Sequence, residues 1–162
     1  MSPRPTPPQI PAPEEALALR LPALPLPPYR FVPGLHPHPM KHPDGHMSDA
    51  TAPPTWSSEV RWQEDEGYLR GCDLFDHRYL WEAHEAWEGV WHQVPEHSDY
   101  RALLQGLIQA AAGVLKAHIA QDGGAARLHA RSTEKLQRVA SAQPNPYRGI
   151  DLAELIARLD TF

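Results

Sequence analysis

The densest run of reactive side chains is Trp81-Glu82-Ala83-His84-Glu85-Ala86-Trp87-Glu88-Gly89-Val90-Trp91, one imidazole and three carboxylates among three tryptophans. At 100° per residue, a helix through this run places Leu80, Ala83, His84, Trp87 and Trp91 on one face, with His84 at its centre. Glu88 lies one turn beyond His84 and within its reach, Glu85 flanks the same face, and Glu82 points outward. Two chemistries follow. A neutral imidazole enclosed in a core needs partners at both ring nitrogens, so His84 could be a packing residue satisfied by Glu88 or by an amide. Alternatively, His84, Glu85 and Glu88 form a general acid–base or ligand-binding cluster, because ionisable groups gathered in a cleft signal function.

Metal chemistry is less well provided for. His84 and Glu88 supply two ligands at one-turn spacing, and His118 or His77 would have to supply a third. The second histidine of the zinc-protease helix is missing, and no Glu-x-x-His occurs in the chain. The expectation is therefore no bound metal and no cofactor. Gln105 and Gln109, one turn apart downstream, either face the acidic helix and bond Glu82 or Glu85, or form a solvated edge with Lys116. The other nucleophiles are poorly placed for catalysis. Cys72 is a lone thiol, Ser98 reads as a helix cap, and Ser132 and Ser141 lack a histidine–acid pattern. Gly123-Gly124 follows a helix rather than a strand, so it is no phosphate loop.

The elements that must position these groups are helices. Ser57 or Ser58 can cap a first helix to about Phe75, with Gly67 and Gly71 as unfavourable interior residues. Asp76 can cap a second helix that ends near His92, before Pro95. Ser98 caps a third, with Asp99 in its first turn, reaching Gln121 before Asp122-Gly123-Gly124 breaks it. Its wide apolar stripe and small residues Gly106, Ala110 and Gly113 suit the centre of a bundle. A fourth helix spans about Ala125 to Ala140, and Asp151 with Glu154 caps a short fifth. No segment alternates with period two. The fold expected is all-α: a compact bundle of about five helices over residues 55–162.

Ahead of it, 16 of the 19 prolines fall in the first 54 residues. Proline removes a backbone donor and fixes φ, so residues 1–54 are expected to form a disordered, Pro/His-rich tail without regular packing. Its histidines, His36, His38, His42 and His46, are not preorganised for a metal. Met47 offers a second plausible start, which would make the upstream part a mis-assigned leader. The chain's net charge of −5 resides in the helical part, which has 11 basic and 16 acidic residues. That sign argues against a nucleic-acid partner. No apolar run is long enough to span a bilayer, and the N-terminus makes a poor signal peptide, so no membrane partner and a cytoplasmic location are expected.

Three blocks carry a resemblance: Leu74-Phe75-Asp76 with Trp81-Glu82-Ala83-His84-Glu85 and Trp91; Leu104-Gln105-Gly106-Leu107-Ile108-Gln109; and Gly124-Ala125, with Gly149-Ile150-Asp151 closing. Together they resemble a bacterial and archaeal group, domain-of-unknown-function family 309, across essentially the whole helical part. The resemblance implies a compact all-helical fold and no defined reaction. It also implies that His84, Glu85, Glu88, Gln105 and Gln109 are the family's signature polar positions. The function expected is a ligand- or protein-binding module using these five residues between the second and third helices. The alternative is a hydrolase, metal-assisted or not, built on the same histidine–glutamate cluster. Nothing in the sequence decides between a monomer and a homo-oligomer.

Overall fold

A computed structural model describes residues 2–15, 17–47 and 52–161. A 3-10 turn at Trp62–Glu64 leads into α1 (Glu66–Asp76), α2 (Leu80–Trp91), α3 (Asp99–His118), α4 (Asp122–Ala142) and α5 (Leu152–Leu159). The described residues contain no β-strand beyond a single bridge between Tyr147 and Ile150. None of these helices is long and apolar enough to cross a membrane. The long α3 is central: it packs on α2 at one side and α4 at the other, while α1 lies on α2 and α5 on α4.

Helix ends follow local capping where a suitable side chain is present. Ser98 accepts the Arg101 N–H at the start of α3, and Asp151 accepts the Glu154 N–H at the start of α5. The first helix departs from expectation. It begins at Glu66, capped by Asp65, which accepts the Tyr68 N–H; Ser57 and Ser58 lie well upstream. Asp76 is the last residue of α1 and not the cap of α2, whose N-cap is Tyr79. Likewise, Asp122-Gly123-Gly124 does not separate α3 from α4. The turn is Ile119–Gln121, with Ala120 at φ 59°, and Asp122 opens α4, where its charge suits the positive end of the dipole.

The core is built from Tyr68, Ala83, Trp87, Leu103, Leu104, Leu136 and Val139, all essentially without solvent contact. The two glycines that count against α1 as an isolated helix are what let it dock. A Cβ on Gly71 would lie 2.2 Å from Trp87 Nε1, and one on Gly67 would lie 2.5 Å from Val90 Cγ2. Tertiary contact thus overrides helix propensity here.

The segment before residue 48 has no helix or strand among its described residues, but it does not float free. Ile10, Phe31 and Val32 are buried, which departs from the expectation of an unpacked tail. Its bonding pattern reflects its composition. Prolines contribute only carbonyls, so helix side chains donate to the segment: Arg70 to the Leu24 and Pro25 carbonyls, Tyr79 to Pro27, and His118 Nε2–H to Pro8. Three of its N–H groups reach carboxylates on the helices. Buried Asp73 accepts the Arg20 and Leu21 N–H groups at 2.9 Å each, and Glu82 accepts the Phe31 N–H at 2.8 Å.

Candidate functional site

The α2 helix presents three faces. Ala83, Trp87 and Val90 point into the bundle, and Trp87 Nε1–H donates to the Tyr68 carbonyl at 3.1 Å. Glu82, expected to face outward, is buried under the proline-rich segment, with its side chain 1% exposed. The helix period placed it away from the other helices, and a non-periodic segment then covered it. Its Oε1 lies 3.4 Å from the equally buried His46 Nε2, and its Oε2 has no hydrogen-bond partner. Burial pushes the Glu82 carboxyl up to about 7, against the pull of the Phe31 N–H and the Arg30 charge. Burial also lowers the His46 imidazole.

His84 is the second correction. It is not sealed in the core: its side chain is 21% exposed, on a half-buried flank with Glu85 and Glu88. Its Nδ1 lies 2.5 Å from the Trp81 carbonyl, which can only accept, so Nδ1 carries the proton. In the neutral ring this leaves the Nε2 lone pair free. Nε2 points between Glu85 Oε1 at 3.4 Å and Glu88 Oε2 at 3.9 Å, and it hydrogen-bonds neither. The structure thus brings together three of the five expected site residues. Gln105 and Gln109 form no side-chain hydrogen bond to the carboxylates among the described residues, and Gln109 Oε1 is buried without a partner. Neither expected third metal ligand joins His84, Glu85 and Glu88. His118 bonds the Pro8 carbonyl, and His77, whose backbone N–H caps the end of α1, keeps its Nε2 buried without a partner.

Two acidic residues that the sequence reading passed over are fully buried. Asp65 caps α1, accepts the Tyr100 hydroxyl proton and lies 3.9 Å from the Arg148 guanidinium, which stacks 3.4 Å over the Tyr100 ring. Asp73 ties down Arg20, which also reaches Asp76 at 2.7 Å. An aspartate before a helix is a visible cap signal at Asp65; nothing local marks Asp73. The remaining nucleophiles have structural roles. Ser132 donates to the Gly106 carbonyl inside the α3–α4 contact. Cys72 is buried, and desolvation pushes its thiol up to about 12. Maleimide should therefore fail to label native Cys72 at neutral pH and label it fully in denaturant; rapid native labelling would contradict this burial.

A cavity lies away from the histidine–glutamate flank. It has a volume of about 720 Å³, is open on one side and is lined by α1, α2, α3 and α5 together with Ile10, Pro11, Pro13, Leu17 and Arg20 of the N-terminal segment. Cys72, Phe75, Leu107, Val114, Leu155 and Leu159 form its apolar wall. Most charges around it are committed. Arg20 is paired with Asp73 and Asp76, and the Asp151 carboxylate is held below its usual range by the Glu154 N–H and the Asn145 amide. Exposed Arg78, at φ 66° in the α1–α2 turn, has no ion pair or side-chain hydrogen bond among the described residues.

Residues 68–128 match the family model described as Domain of unknown function (DUF309). The blocks from Leu74 to Trp91, at Leu104–Gln109 and at Gly124-Ala125 fall inside that range, whereas Gly149-Ile150-Asp151 lies outside it. No curated protein and no solved structure matches the chain.

Proposed function

Starting from a chain that belongs, over residues 68–128, to the DUF309 family, we propose that it is a ligand-binding helical module whose ligand occupies the cavity lined by α1, α2, α3 and α5. The observation that carries this reading is the cavity. Its volume of about 720 Å³ falls in the range of small-molecule sites, and its lining joins an apolar wall to charged groups at Arg20, Asp76, Arg78, Asp151, Glu154 and Arg158. The uncommitted cation at its edge, Arg78, selects the polarity of the ligand: an apolar body ending in a carboxylate, sulfonate or phosphate. The hydrolase alternative has less support, because this cavity contains no activated nucleophile and Cys72 is held as a thiol.

The probe for this reading is anilinonaphthalene sulfonate, an apolar ring system with one anionic group, displaced by dodecanoate. The expected result is saturable fluorescence at one site per chain. Val114→Trp, which fills the cavity, should abolish it, and Arg78→Glu should weaken it by about tenfold, the loss of one charge-assisted contact. A cooperative thermal transition in both variants separates lost binding from lost folding. Equal binding by wild type and both variants would overturn the proposal.

A further inference from the structure

We infer that His84, Glu85 and Glu88 form a binding site for one divalent transition-metal cation of the zinc type, outside the cavity and independent of its ligand. Spacing along the helix offers two ligands, His84 and Glu88; the fold supplies the third as Glu85, from the same helix. One ligand atom from each residue lies within 4.8 Å of the other two. Their spacing suits a bridging cation better than mutual bonding. Ligands about 2.1 Å from a tetrahedral zinc are separated by about 3.4 Å. The imidazole Nε2 stands 3.4 Å from Glu85 Oε1 and 3.9 Å from Glu88 Oε2, with no hydrogen bond between them.

Three further features fit. The Trp81 carbonyl accepts the hydrogen bond from His84 Nδ1–H, the arrangement that fixes the tautomer and orientation of a metal-ligating histidine. One neutral imidazole and two carboxylates balance a divalent charge, and the mixed nitrogen and oxygen donors suit zinc or its neighbours better than calcium or magnesium. Exposures of 21%, 28% and 40% leave the site open on one side, so a water or an external anion can complete the coordination. The Nε2 lone pair must be free for this, as it is in the tautomer that the Trp81 carbonyl selects.

The test uses the full chain, stripped with chelator and titrated with Zn²⁺ by calorimetry and with Co²⁺ by visible absorption. One metal per chain is expected, with a tetrahedral cobalt spectrum and a shift of the His84 Nε2 resonance while Nδ1 stays protonated. His84→Ala should abolish the site. The isosteric Glu85→Gln and Glu88→Gln should each weaken it by about tenfold or more, as loss of a ligand charge does. His42→Gln, which removes an exposed histidine of the N-terminal segment, should leave it intact. Any of three results would overturn the inference: no cobalt spectrum at millimolar metal, undiminished binding by folded His84→Ala, or binding lost only in His42→Gln.

Discussion

Gly71→Ala is expected to destabilise the protein by about 1–3 kcal/mol net, opposite in sign to the gain that alanine brings to an isolated helix. By propensity the change is worth up to about 1 kcal/mol in favour of alanine. The new methyl would meet the indole of Trp87 at 2.2 Å from Nε1, 2.4 Å from Cδ1 and 2.6 Å from Cε2. That ring cannot step aside. It is 1% exposed, and its N–H is bonded to the Tyr68 carbonyl inside the α1–α2 contact. Either the helices separate or the indole rotates out of its bond; overpacking of this kind costs about 1–3 kcal/mol and the lost bond about 1 more. Chemical denaturation measures the sum. Trp87→Ala alone should cost about 3–5 kcal/mol, the usual loss for a buried aromatic, and the double variant should cost less than the two singles added. A neutral or stabilising Gly71→Ala would mean that α1 and α2 do not approach this closely.

Glu82→Gln should stabilise the protein at alkaline pH and leave it unchanged in acid. The Glu82 carboxyl is pushed up to about 7 in the fold, and its ordinary value is near 4.3. A group raised by folding contributes its full stability below the unfolded value and loses that contribution as pH rises through the folded one. The wild type therefore weakens between about pH 4.5 and pH 7, by an amount on the order of 3 kcal/mol. Three groups face Glu82: the Phe31 N–H and Arg30 favour the ionised form, and His46, whose own value is lowered by burial, sits 3.4 Å away. The lowered His46 value acts with the opposite sign, losing stability as pH falls, so the variant-minus-wild-type difference isolates Glu82. Glutamine keeps the shape of the protonated acid and can donate to His46. Denaturant midpoints at pH 5 and pH 8 supply the difference, and exchange of the Phe31 amide reports whether the N-terminal segment lifts first. An identical pH dependence in the two proteins would place Glu82 in water.

The all-α class, the order of five helices, the caps at Ser98 and Asp151, and the central place of α3 were legible in the sequence. Each rests on short-range information: the 3.6-residue period, a capping side chain within a turn, or a stripe of small residues. The candidate site was legible only in part. Spacing along α2 brought out His84, Glu85 and Glu88, because Glu88 stands four residues from His84 and three from Glu85, the spacings that share a flank of a helix whatever surrounds it. Tertiary structure decided which flank was covered. Glu82 became buried and His84 half-exposed, because a proline-rich segment with no period of its own lies over the first and not the second. It also decided the cavity, whose walls come from four helices and from Ile10, Pro11, Pro13, Leu17 and Arg20. Gly71 shows the same division within one residue: its helix penalty is local, whereas the indole it makes room for lies on another helix. Periodicity records how a segment turns, and it carries no record of what will be laid against it.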